Sequence, residues 1–424
     1  MKLTKEEQGL LDGEKGPGVQ RSIQHLVDTG EAFDAEKLIP ITAAHLVLLE
    51  GQVAGAAAEA FFDTPQPFLE GVTSFAVPTT LNSICMDLSR PEKMNISKDA
   101  VEFVNKTMPK AIERYTTKGA MPTFTCTPYT IVPMTYGQHV AATEGGVVEY
   151  INSVIGARTH YETIVSAVPA AVVGRVPLYG LHIRKNRYGQ VLVKIGDDLN
   201  PEEFTYADYG AMAFHAAALA EDRIPVWTGI PTMSEADLKY FTIAHCISGA
   251  MALEHVVGVT PEAPTLEEAF GPNKPEKTIV VDKKALESAY EYLSTAKKGE
   301  VDAVVLGCPH LNIHEIKEIA QLLGRRKIHS GLRFWCGTNE HTWQLAKRMG
   351  LVDAIEASGA FVTMRACSGT CNFPLIPDLF KVHTIATNSV TCAVMAPATS
   401  GNQVLCHYRN MKECIDIAVE GRVY

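Results

Sequence analysis

A chain of 424 residues with 46% hydrophobic and 20% charged content is long enough for two or three packed domains and too apolar to remain disordered. The formal charge of -10, with no basic run longer than "GRRK" at 324–327, excludes a phosphate-backbone footprint, so a small molecule and not a nucleic acid is the expected partner. No stretch approaches the roughly 18 uncharged apolar residues of a bilayer span, and "MKLTKEEQGLLDGEKG" lacks the apolar core of a secretory signal, so no membrane partner and a cytoplasmic location are expected.

In a reducing compartment the ten cysteines are expected as free thiols, either packed in the core or used in a metal or catalytic site. Helical and extended patterns alternate along the chain without internal repeats, which predicts an α/β architecture. Cys85, in "LNSICMDL", follows an apolar pattern and reads as core. Cys126, in "PTFTCTPYTIVP", lies in a Thr-Pro-Tyr turn outside any periodic face. From 143 to 159, "TEGGVVEYINSVIGART" sets Val147, Tyr150, Ile151, Val154 and Ile155 on one helical face. Asn152 and Ser153 lie off that face, and Arg158 and Thr159 follow the helix-ending Gly156. Cys246 sits within the apolar "FTIAHCISGA" and reads as core.

Four prolines in "GVTPEAPTLEEAFGPNKPEK" mark 258–277 as a linker between an N-terminal region, 1–257, and a C-terminal domain, 278–424. Beyond it strands and helices alternate cleanly: "TIVVD", "KKALESAYEYLSTA", "VDAVVLG", "NIHEIKEIAQLLG", "LRFWC", "NEHTWQLAKRMG". This rhythm predicts a doubly wound parallel unit, and ligands collect beyond the carboxyl ends of such strands. Cys308 and Cys336 stand at two of those ends, and Cys367 and Cys371 flank a turn in "MRACSGTCNFP". A Cys-x3-Cys pair with two further ligands would suit zinc, but a second short-spaced pair is missing. No Gly-x-Gly-x-x-Gly turn joins a strand to a helix, which disfavours a nicotinamide dehydrogenase.

Taken in order, "LTKEEQGLLDGEKG", "VPTTLN", "CTPY", "NSVIGART", "GCPH", "TNS" and "ECIDIAVEGR" resemble the aconitase X family from the first residues to the last. The resemblance implies an aconitase-like catalytic body of several stacked α/β/α domains, with the swivel domain absent and supplied by a separate small subunit. It implies an iron-sulfur cluster, [2Fe-2S], [3Fe-4S] or [4Fe-4S], and a hydro-lyase that removes water from a small hydroxy acid. The preferred substrate is cis-3-hydroxy-L-proline. The alternatives are the large subunit of a 5-phosphomevalonate dehydratase, or a divergent noncatalytic or zinc-binding subunit.

Carried over by position, Cys126, Cys308 and Cys371 are the expected cluster ligands, with Cys336 and Cys367 as the two thiols able to displace one of them. An iron held by fewer protein ligands than it accepts is a Lewis acid, which is the chemistry water elimination calls for. Ser389, Glu144 and His310 are the expected catalytic groups. Thr79, Thr80, Asn82, Asn152, Ser153, Arg158 and Thr159 are expected to bind substrate, with the Arg158 guanidinium matched to a carboxylate. The family pattern is broken at Gly369, Thr391 and Gly145, where an acid, a cation and a hydroxyl are missing. Cys414 reads as core, and Cys392 and Cys406 are open.

Overall fold

The computed structural model describes residues 1–48, 64–84, 86–94, 98–367 and 381–424. Three parallel sheets carry the chain. In the first, Ala44–Leu46 lies between Thr79–Leu81 and Ala141–Ala142, and every residue of these short strands is buried. Burial on both faces is the habit of parallel strands flanked by helices. Helix Pro17–Ala32 covers this region: proline opens it, and Ile23, Leu26, Val27 and Gly30 form its buried stripe.

The second sheet runs His255–Val256, Pro225–Thr228, Val191–Ile195, Lys277–Val281, all parallel. Here the structure differs from the sequence reading. The strand expected to open a C-terminal domain at 278 pairs with Val191–Ile195, Val193 opposite Ile279. The stretch expected as a linker, 258–277, contains helix Leu266–Phe270, whose Ala269 and Phe270 pack on Leu192 and Val226. Local periodicity shows that a strand exists but not which sheet it joins, so a proline-rich connection inside one layer passed for a boundary.

The third sheet has five parallel strands in the order Phe361–Met364, Arg333–Thr338, Ala303–Leu306, Thr384–Thr387, Leu405–Tyr408. Winding reverses between Ala303–Leu306 and Thr384–Thr387, so a crevice opens beyond their carboxyl ends at this switch point. Cys308 follows the first of these strands and Ser389 the second. Alternation along the strand, reset by the turn at Gly307, sorts the thiols. Ala303, Val305 and Cys308 face the large central core, whereas Val304, Leu306, Phe334 and Cys336 face a separate core under helix Ile313–Leu323. Gly307 makes the turn between them with φ +100°, and a β-carbon there would lie 2.2 Å from the Gly337 carbonyl oxygen. Only glycine fits that approach.

Candidate active site

Cys126, Cys308 and Cys367 line one cavity of about 60 Å³ where the carboxyl ends of the first and third sheets meet. Asn82, Ser83, Glu144 and Thr391 supply its other polar walls, and Val47, Ile243 and Pro309 close it. Two of the three expected ligands, Cys126 and Cys308, are thus neighbours. Cys371 and Gly369 lie outside the described residues, as does Cys85. Cys336 faces the opposite side of its sheet and takes no part. Cys367 is the thiol that the sequence reading ranked below the three expected ligands and that the fold brings to the cavity.

His310 ties the cysteine loops together. Its backbone N–H donates to Cys126 Sγ at 3.3 Å, its Nε2–H donates to the Ala366 carbonyl at 2.9 Å, and its Nδ1 lies 3.2 Å from Thr125 Oγ1. With Nε2 donating, Nδ1 accepts the threonine proton, and burial lowers the ring's pKa, so the imidazole stays neutral. Buried Lys239 donates to the His310 carbonyl at 2.7 Å and pairs with Glu315. No motif announces Lys239; it sits in helix Glu235–Gly249, where every residue from Lys239 to His245 is buried.

Cys126 and Cys308 are protonated as they stand. Burial raises Cys126 well above the ordinary thiol range, and Cys308 is raised by its hydrogen bond with Cys392 and then by burial. A bound metal reverses this preference by taking thiolates directly. Three thiols converging on one cavity fit such a centre in donor type and placement.

Glu144 is the cavity's carboxyl. It caps helix Gly145–Tyr150 with its backbone at φ +75°, a conformation uncommon outside glycine, and its carboxylate accepts from Gly146 N and Val147 N at 3.3 and 3.1 Å. Burial raises its pKa to about 7 against the pull of those two N–H groups. Gly145, the position of the missing hydroxyl, leaves room for Cys246: a β-carbon at 145 would lie 1.9 Å from Cys246 Sγ. Cys246 is therefore not simple core filling.

The remaining expected residues are mostly spent on structure. Thr79 Oγ1 donates to the Val77 carbonyl, and Thr80 Oγ1 lies 2.8 Å from His45 Nδ1. Asn152 donates to the Thr159 and Ala252 carbonyls and accepts from Thr159 N and from Arg187, a fully buried guanidinium paired with Glu262. Ser153 donates to Glu254 at 3.0 Å. Arg158 donates to the His182 carbonyl beside His139 and away from the cavity lining. Ser389 caps helix Val390–Thr399 by accepting from Cys392 N, which sets Thr391 at the cavity wall with its buried hydroxyl lacking a hydrogen-bond partner.

Behind Glu144 lies a second group, Glu149, His245 and Glu254, whose ligand atoms fall within 4.8 Å of one another. It is a poor metal site. His245 Nε2 accepts from Trp227 Nε1 at 3.0 Å, which leaves the proton on Nδ1, 3.1 Å from the Phe241 carbonyl, so neither nitrogen has a free lone pair. Burial raises Glu254 to about 7 and Glu149 further. Both Glu149 oxygens lack a conventional donor. Two buried carboxyl groups in contact without a cation share a proton, and that supplies the missing hydrogen bond.

Comparison with known proteins places this arrangement. Models of the aconitase X first, second and third domains match residues 1–185, 189–291 and 301–420. The chain belongs to the aconitase X family. It is 33% identical to the phosphomevalonate dehydratase large subunit of Methanosarcina mazei, covering 100% of this chain and 98% of that one. It is 31% identical to the cis-3-hydroxy-L-proline dehydratase of Hypocrea jecorina, over 99% of this chain and 69% of that one. Its fold matches the crystal structure of Thermococcus kodakaraensis aconitase X in the holo form with a TM-score of 0.85 and 29% identity, over 99% and 100% of the two chains. The expected α/β aconitase-like fold and hydro-lyase class are borne out: this is an aconitase X dehydratase. Among the described residues, no helix is long and apolar enough to cross a membrane.

Proposed function

We propose that this chain removes water from a small zwitterionic hydroxy acid, with cis-3-hydroxy-L-proline as the preferred substrate, at an iron-sulfur centre facing Cys126, Cys308 and Cys371. When bound, such a centre supplies an open Lewis-acid position for a substrate hydroxyl. Glu144 is the proposed general base: a carboxyl with a pKa near 7 is poised to take the proton from the carbon beside the substrate carboxylate. Asn82 and Thr391 offer hydrogen bonds to the substrate, and Val47 and Ile243 exclude water. Ser389 and His310 act by holding the loops, because both side chains are buried and engaged. Thr79, Thr80, Asn152, Ser153 and Thr159 support the walls in the same way, and Arg158 is held in reserve for a closed assembly.

The observation that carries the substrate choice is charge. Among the described residues no Lys or Arg lines the cavity, and none occurs in the sequence from 49 to 63 or from 368 to 380. A phosphate dianion asks for cations; an amino acid brings its own ammonium, which the Glu144 carboxylate complements. The phosphomevalonate reading is favoured by the fuller coverage of those relatives, 98% against 69%. Relatives named as large subunits support a separate small subunit as partner.

The test is anaerobic reconstitution with iron and sulfide in the presence of the small subunit, followed by incubation with cis-3-hydroxy-L-proline and with 5-phosphomevalonate. Water loss from the hydroxyproline alone is expected. Turnover of the phosphorylated acid alone would reverse the substrate choice. Zinc or no metal after reconstitution would remove the iron-sulfur reading.

A further inference from the structure

Helix Glu235–Gly249 carries Lys239, Ile243 and Cys246 at positions i, i+4 and i+7, which form one helical face. Ile243 closes the cavity and Cys246 fills the space beside Gly145, so this face is turned toward the site. Lys239 completes it as a buried ammonium. Its Nζ donates to the His310 carbonyl at 2.7 Å and to the carboxylate of Glu315, which is buried as well. Glu315 is fixed in turn: it closes the capping box of helix Ile313–Leu323 by accepting from Asn312 N at 2.8 Å.

His310 is thereby held at each of its polar atoms. Its N–H lies on Cys126 Sγ, its ring on Thr125 Oγ1 and the Ala366 carbonyl, and its own carbonyl on Lys239. The first aconitase X domain supplies Thr125 and Cys126 to this hub, the second supplies Lys239, and the third supplies His310 and Ala366. Stability does not account for the ammonium. Taking an ion pair out of water costs about as much as the attraction returns, and apolar side chains of similar volume often serve as well or better in its place. What an apolar side chain cannot do is hold a carbonyl.

We propose that Lys239 is a positioning residue for the metal centre. Its ammonium fixes His310, and through His310 it keeps Cys126 Sγ in register with the loop that begins at Cys308. Glu315 is the counter-charge that lets this ammonium stay buried. The inference rests on the iron-sulfur reading above and adds to it the part played by the second domain.

The experiment compares wild type with Lys239→Met/Glu315→Gln, each reconstituted anaerobically with iron and sulfide in the presence of the small subunit. The double variant removes both charges, keeps the volume, and leaves a glutamine oxygen to accept from Asn312 N. Two quantities are measured: the urea midpoint of the apo chain, and the rate at which the reconstituted protein gives up iron to a chelator. The midpoint should be no lower than that of the wild type, while iron release should be faster by about 10- to 100-fold, the usual consequence of losing an outer partner of a metal ligand. Release at the wild-type rate overturns the proposal. So does a lowered midpoint or a failure to fold, either of which makes the pair part of the fold's stability and not of the centre. If the wild type itself assembles no iron and sulfide, the iron-sulfur reading has failed and the inference falls with it, a result separate from the others.

Discussion

The buried Glu149–Glu254 pair makes a quantitative demand on stability. Desolvation raises Glu254 from 4.5 to about 7 in the folded chain, so folding binds a proton that the unfolded chain has released across that interval. A raised carboxyl costs nothing below the unfolded value, and its penalty grows as pH rises through the interval and is complete above the folded value. Two and a half units amount to about 3 kcal/mol. Glu254→Gln keeps the shape and the acceptor for Ser153 Oγ, places an amide N–H toward Glu149, and removes the charge. The groups facing this carboxyl are Glu149, Ser153, the neutral His245 with Nδ1 at 4.0 Å, and Cys246; none is a cation. The variant should therefore match the wild type at about pH 5 and exceed it by up to about 3 kcal/mol at about pH 8. Urea unfolding followed by tryptophan fluorescence reads this directly, since Trp227 touches His245. An equal gain at both pH values, or a loss at the higher one, would refute the shared proton and revive a metal or cation between the carboxyls.

Three further outcomes follow from the site. Gly145→Ser should destabilise the protein by about 1–3 kcal/mol through overpacking on Cys246, and Cys246→Ala should recover most of that loss in the double variant, as thermal unfolding of all three will show. His310→Ala takes the donor from the Ala366 carbonyl and leaves the Thr125 hydroxyl bonded only to Thr127, so reconstituted iron should fall by at least about half while far-ultraviolet circular dichroism stays unchanged. Cys308→Ser should abolish cluster colour and turnover, whereas Cys336→Ala, in the separate core, should cost about 1 kcal/mol of stability and leave both intact.

Much of this site was legible because its chemistry is written in turns. Cys308 is legible because it ends a buried parallel strand, and the switch point beside Thr384–Thr387 accounts for a thiol there. Cys126 was legible for a related reason, since it lies outside a periodic apolar face, whereas Glu144 was legible only through the family resemblance. Period-two alternation continued past Gly307 would have put Cys308 with Val304 and Leu306 on the Cys336 side; the positive-φ turn at Gly307 sends it to the central core instead.

What stayed illegible depends on contacts between distant segments. Asn152, Ser153 and Thr159 read as substrate groups because they leave an apolar stripe at a helix end. That end is a π-turn, Ile151–Ile155, which points them inward to Arg187, Ala252 and Glu254, residues 35 to 101 positions away. Cys246 read as core because its helix is apolar, and only the space left by Gly145 shows that it stands where a side chain is missing. The departures from the family pattern thus bear on the site in different ways. Gly145 is matched by a thiol from another helix, whereas Thr391 leaves a buried hydroxyl facing a cavity without a cation. An uncompensated loss of positive charge cannot be absorbed by packing, so it falls on the ligand. On the proposed reading the substrate carries its own cation, and that ties the sequence departure at 391 to the proposed preference for a zwitterion.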